Sequence, residues 1–255
     1  MKLSKHIRRA RILGGMMALA VARRIGRLGI ASLLVRDIPR EAQVVYLDAG
    51  LHKDARQLRL VSGWFAPRCR FRAVGFEAHP DYARLAEISL AGLADVTVEN
   101  IAVVGPGQPA TMSLNLDGTT GLGDSLIRKR TGASIEVPAK RLTHYLAEAG
   151  IDPKRDIILL RMNIEGAELF VLEDILEAGL TEAIDGYYGT WNDPEKIGGE
   201  TARQFDAILE KTGIRNFRFN DPDCNYESRK ALVRYDMVTS ILAGGRKKRA
   251  VDVRT

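Results

Sequence analysis

The sequence predicts a doubly wound α/β domain: a mostly parallel sheet with an antiparallel last strand, preceded by a basic N-terminal helix. Three observations predict it. From residue 44 onward, apolar runs of strand length alternate with stretches of helical hydrophobic period. Polar residues gather where those strands stop, the edge at which open α/β sheets bind ligands. With 255 residues, 45% hydrophobic and 27% charged, the chain can bury one core of ordinary size and is neither disordered nor fibrous.

In order, the first strand, 44–49, is an apolar run that stops at Asp48-Ala49-Gly50, and a helix over 53–64 follows. The second, 71–77, ends in Glu77-Ala78-His79 and leads into a helix over 80–92. The third, 96–104, runs past Glu99-Asn100 to Ala102. Residues 105–140 lack a helical period and read as a hairpin, 110–116 with 134–139, around a Gly-, Thr- and Asp-rich loop at 117–125. A loop that long in a compact domain is usually functional or mobile. A helix over 141–149 precedes the fourth strand, 156–162, which ends in Asn163-Ile164-Glu165-Gly166. A helix over 166–178, a fifth strand over 184–190 ending in Trp191-Asn192-Asp193, and a helix over 200–213 come next. A sixth strand over 215–220, ending in Asn220-Asp221, and an antiparallel strand over 234–242 complete the set. The expected division is a basic helical segment 1–40, a domain 41–245 and a basic tail 246–255.

Charge follows that division. Residues 1–36 carry nine Lys/Arg and no acid, and residues 246–255 carry five against Asp252, which leaves 24 basic and 31 acidic residues between them. An acidic body with basic ends argues against nucleic acid and for an anionic surface met by the ends. Three readings of the N-terminal segment stay open, the plainest being a helix that packs on its own domain with its arginines in solvent. A positive lead, an apolar run and small-x-small sites resemble a secretory signal, whereas Val21, Ile25 and Leu28, set apart from Arg23, Arg24 and Arg27, fit a basic amphipathic helix on a membrane surface or a partner. No stretch approaches the roughly 20 apolar residues of a bilayer span. Two cysteines, Cys69 and Cys224, without CxxC spacing, favour a reducing compartment and argue against a disulfide framework or a zinc site. The expected location is cytoplasmic, peripheral at the inner membrane face.

Gly50, directly after the first strand, lets backbone approach a ligand, and Glu77, 27 residues on at the end of the second, can accept both hydroxyls of a ribose. The full dinucleotide loop G-x-G-x-x-G and the phosphate loop G-x-x-x-x-G-K-[ST] are both absent. A cofactor with adenosine but no pyrophosphate fits best, namely S-adenosylmethionine; a nicotinamide oxidoreductase is the weaker alternative.

The runs Leu47-Asp48-Ala49-Gly50, Val74-Gly75-Phe76-Glu77-Ala78-His79-Pro80, Asn100-Ile101-Ala102 and Leu160-Arg161-Met162-Asn163-Ile164-Glu165-Gly166-Ala167-Glu168 resemble the successive motifs of FkbM-type methyltransferases. Gly123-Asp124-Ser125 and the segment Ile135 to Leu142 extend the resemblance. It implies a Rossmann-like class I fold using S-adenosylmethionine, with Asp48 and Gly50 in the cofactor loop, Glu77 on the ribose, and Asn163 and Glu165 beside the transferred methyl group. Leu51, Ala78, Asn100 and Ala102 complete the expected cofactor set. The first loop departs from the family's Asp-x-Gly-Ala-Asn-x-Gly, reading Asp48-Ala49-Gly50-Leu51-His52-Lys53-Asp54. Bulk at Leu51 and a carboxylate at Asp54 are expected to narrow the pocket or alter its backbone path. A non-catalytic module that has lost the cofactor is therefore the alternative.

Methyl transfer to oxygen needs alignment of acceptor and methyl, plus a base if the hydroxyl is not already acidic. Glu165, Glu168 and His52 are the candidates for that base, although acids at a helix start also complement its dipole. Trp191 is a candidate wall of the acceptor pocket. The expected acceptor is a hydroxyl on a sugar, glycolipid or other small metabolite.

Overall fold

Two runs, Gln43–Ala49 and Ile157–Met162, bury almost every side chain, which a strand achieves only when helices cover both of its faces. They lie side by side at the centre of the molecule. The structure, a computed structural model, describes residues 30–118, 123–127, 132–191, 197–214, 216–217 and 226–252.

In chain order the described elements are α1 (Ile30–Leu34), β1 (Gln43–Ala49), α2 (Arg56–Phe65), β2 (Arg70–Phe76), α3 (Pro80–Leu90), β3 (Val96–Glu99), β4 (Ala102–Val104) and β5 (Thr111–Asn115). They continue with β6 (Ser134–Arg141), α4 (Leu142–Glu148), β7 (Ile157–Met162), α5 (Glu168–Glu177), β8 (Ile184–Gly189), α6 (Gly199–Thr212), β9 (Asn216–Phe217) and α7 (Tyr226–Asp252). The main sheet runs β3-β2-β1-β7-β8-β9 with every neighbouring pair parallel. A smaller sheet, β4-β6-β5, carries the expected hairpin, with Thr111 opposite Pro138 and Asn115 opposite Ser134.

Strand alternation sorts the core into two layers. Val45, Leu47, Ala49, Ile158, Leu160 and Met162 point to the face covered by α4, α5 and α6. Val44, Tyr46, Ile157 and Leu159 point to the face covered by α2, α3 and α7. Local signals frame these helices: Pro80 occupies the first turn of α3, and Gly213, in the left-handed region at φ 66°, ends α6. Chain order reverses between β1 and β7, so their carboxyl ends diverge into a crevice.

Four expectations change. The antiparallel strand expected at 234–242 is the middle of α7; Val233, Met237, Val238 and Ile241 recur at helical spacing and bury one stripe against the sheet. The strand expected over 96–104 breaks at Asn100-Ile101, and its two halves join different sheets. Val35 and Ile38, assigned to the N-terminal segment, are buried in the domain core. Residues 246–252, expected in a tail, continue α7, and Lys248 is buried on Asp185, with the Asp156 carbonyl beside it. The predicted helix within 1–29, the strand ends at 218–221 and Asn192-Asp193 lie outside the described residues. Among the described residues no helix is long and apolar enough to cross a membrane.

Candidate functional site

The chain leaves β1 through a turn that only glycine permits. Gly50 sits at φ 84°, and a Cβ there would collide with the Asn163 carbonyl. Its amide and that of Leu51 donate to the Phe76 carbonyl at 3.0 and 3.2 Å, and Asn163 N–H donates to the Ala49 carbonyl at 2.9 Å. The heads of β1, β2 and β7 are thus stitched together. His52 and Ala55 then take left-handed φ values of 58° and 45° without being glycine.

Leu51 does not narrow the pocket. Its side chain is buried in the layer beneath α2, packed on Gly75, where a Cβ would strike it. Asp54 is 59% exposed, with His52 Nδ1 3.9 Å from its carboxylate. The departures in this loop therefore leave the cleft wall to Gly50 and His52.

Glu77 follows β2 directly. Its carboxylate accepts the backbone N–H of His52 at 2.7 Å and of His79 at 2.9 Å. Burial pushes its pKa up to about 7, the two amides pull the other way, and the nearby Asp124 and Asp48 add to the rise. Asn100, expected on the cofactor, instead donates its side-chain amide to the Glu77 and Ala78 carbonyls at 2.9 and 3.0 Å. It fixes the strand end on which Glu77 stands. His79 stacks on Tyr82 at 4.3 Å, and His52 meets the same ring edge-on at 5.3 Å.

Asp48 also lies beneath the cleft rather than in it. It is paired in register with Arg161 of β7, and their side chains form a buried ion pair. Arg161 Nη1 reaches the Gly50 carbonyl at 3.3 Å, and Tyr46 Oη stands 3.5 Å from Asp48 Oδ2. Burial raises the Asp48 pKa and the guanidinium offsets part of that rise.

The second turn crosses the head of β7. Glu165 is held at φ 54° and Gly166 at φ 105°. Glu168, expected as a catalytic base, is fully buried at the start of α5, and its two oxygens accept the amides of Ile164 and Gly166, both at 2.8 Å. That carboxylate shapes the turn and does not face the cleft. Ser125 Oγ donates to the Glu165 carbonyl at 2.8 Å, which ties the hairpin loop to the same turn.

Between the two turns opens a cleft with about 680 Å³ of empty space, part of it open to solvent. Glu77 and Ala78 stand at one end; Asn163, Ile164 and Glu165 at the other. Ala102 and Val103 of β4, with Leu114 of β5, form an apolar side wall. Asp124, not singled out as a site residue from sequence, lines it too; its position in an Asp- and Gly-rich loop next to the cleft motifs was the available signal. Trp191 belongs to the core instead, donating to the Tyr188 carbonyl at 3.2 Å and meeting Tyr187 and Phe205 edge-on.

A model of the methyltransferase FkbM domain matches residues 48–220, from the last turn of β1 past β9. The chain belongs to the FkbM methyltransferase family. A search of curated proteins finds no match to it. Every residue that lines the cleft falls inside the matched segment, whereas α1, most of β1 and α7 fall outside it.

The arrangement fits a nucleoside-bearing ligand. Gly50 lets the β1 turn pack bare backbone against the Asn163 carbonyl at the cleft wall, and Glu77 lines the cleft at the strand end where a ribose is held in such sheets. The apolar wall suits a flat ring, and Glu165 offers a carboxylate at the opposite end.

Proposed function

We propose that the protein is an S-adenosylmethionine-dependent O-methyltransferase acting on a hydroxyl of a sugar, glycolipid or other small metabolite. The observation that carries this reading is Glu77 lining the same cleft as Gly50, at the end of the strand next to the point where strand order reverses. Glu77 would receive the ribose hydroxyls, and Gly50, Ala78, Ala102 and Asn163 would line the remainder of the cofactor's bed. When bound, the cofactor supplies a methyl group on a sulfonium.

The chain's own residues then have two tasks. The walls exclude water and hold the acceptor in line, which can supply most of the acceleration. Glu165, in the cleft on a turn fixed by Glu168 and Ser125, takes the hydroxyl proton at its carboxylate. His52 lines the same cleft at its other end and is the second candidate for that proton.

Equilibrium titration of the full chain with S-adenosylmethionine and with NAD tests the reading. Binding of the former alone supports it, and binding of neither favours the non-catalytic module. Glu77→Ala is expected to weaken cofactor binding by about 1.5–3 kcal/mol, the scale of hydrogen bonds to a charged group, in a protein that still folds. The basic N-terminal residues would bring the enzyme to an anionic membrane surface; sedimentation with anionic liposomes at low salt, lost on deleting 1–29, is the expected outcome.

A further inference from the structure

Helix α7 lies outside the matched segment, yet its buried face reaches the strands that carry the cleft. Val233, Met237, Val238 and Ile241 pack with Tyr46, Leu159 and Tyr188 in one apolar layer. Within that layer runs a row of polar groups. Tyr188 Oη donates to Asp236 Oδ2 of α7 at 3.0 Å and lies 3.4 Å from Ser240 Oγ on the next turn.

The ring of Tyr188 folds back over Gly186, where a Cβ would meet its hydroxyl at 2.6 Å. Gly186 is in register with Leu159, and Leu159 with Tyr46, so the hydroxyl end of Tyr188 falls in the cross-strand row of Tyr46. Tyr46 Oη stands 3.5 Å from Asp48 Oδ2, Asp48 pairs with Arg161, and Arg161 reaches the Gly50 carbonyl. Tyr46 and Tyr188 are both fully buried, and a hydroxyl in a core is costly unless it is held by partners. Leu159 stands in that row between Tyr46 and the hydroxyl end of Tyr188, and its packing joins the group at α7 to the group behind the turn that faces the cleft.

We propose that α7 holds the cofactor turn in place through this row, with Tyr188, Tyr46 and Arg161 as positioning residues. The row fixes the Gly50 carbonyl from behind, so loss of its far end loosens the turn without touching the cleft wall. The effect on cofactor affinity rests on the function proposed above; the effect on the turn does not.

The experiment uses the full chain with Tyr188→Phe, which keeps the ring and removes the hydroxyl, and with Asp236→Asn as the second variant. Amide hydrogen exchange of residues 49–55 is expected to quicken about fivefold in both, while the hairpin at 111–115 stays within about twofold of wild type. The KM for S-adenosylmethionine is expected to rise about three- to tenfold with kcat at saturating cofactor nearly unchanged, the split expected when only binding is weakened. Unchanged exchange at 49–55, or an equal rise in the hairpin, would overturn the proposal. If the wild-type protein takes no S-adenosylmethionine while the turn still responds to Tyr188→Phe, the proposed function falls and the coupling to α7 stands.

Discussion

The turns at the heads of β1 and β7 face each other across the cleft, and each is held by a buried carboxylate, but from opposite directions. Asp48 supports the first turn from within the sheet, neutralised by Arg161 from a strand 113 residues away. Glu168 supports the second from two residues beyond it, its two oxygens accepting the amides of Ile164 and Gly166. A turn braced from a distance can change its own residues and keep its path, which is how Leu51, His52 and Asp54 coexist with an open cleft. A turn braced by its own neighbour has less such freedom.

The sharpest way to break this comparison is to remove the distant brace. Arg161→Met leaves Asp48 buried and unpaired, and a loss of about 3–5 kcal/mol is expected in urea unfolding at neutral pH. Adding Asp48→Asn should recover much of it. The local brace should cost less. Glu168→Gln turns an amide NH2 toward one of the two backbone donors, with an expected loss of about 1–3 kcal/mol and faster hydrogen exchange confined to 163–168.

Titration probes the join between the first turn and β2. Glu77 accepts His52 N–H, and its pKa of about 7 lies above the ordinary carboxyl range. A raised carboxyl favours the folded state fully below its unfolded pKa, and that contribution is lost as pH rises through about 7. Cofactor binding runs the other way, because ribose hydroxyls need the carboxylate. S-adenosylmethionine affinity measured from pH 5.5 to 8.5 is expected to fall below about 7 by up to tenfold per pH unit, and Glu77→Gln should flatten the profile. The smallest effect is expected at the rim. Asp54→Gly should change cofactor affinity by less than about tenfold, or 1.4 kcal/mol, because Asp54 is mostly exposed and lies outside the cleft.

The parallel sheet was legible because β1, β2, β7 and β8 are apolar runs separated by helical periods, and Gly50, Glu77, Asn163 and Glu165 because they stand where such strands stop. What escaped the sequence is which way a side chain faces. Asp48 and Glu168 sit in the same motifs as cleft residues, yet alternation along β1 turns the first beneath the sheet head and the start of α5 buries the second. The partnership of Asp48 with Arg161 links distant strands, so no local pattern announces it. The misread α7 has the same origin: Val233, Met237, Val238 and Ile241 fit a β-rich run when read locally and a helix stripe once the sheet face they cover is known. The break at Asn100-Ile101 falls in a run that is apolar on both sides.

The order β3-β2-β1-β7-β8-β9 also has a kinetic meaning. The strands on one side come from residues 43–99 and those on the other from residues 157–217, so the line between β1 and β7 is a seam that joins strands more than one hundred residues apart. Contacts of such separation form slowly. The two halves of the cleft thus come from different parts of the chain and meet at a pairing of long sequence separation. A molecule seated between them would act as a staple, slowing the parting of the seam without altering either half.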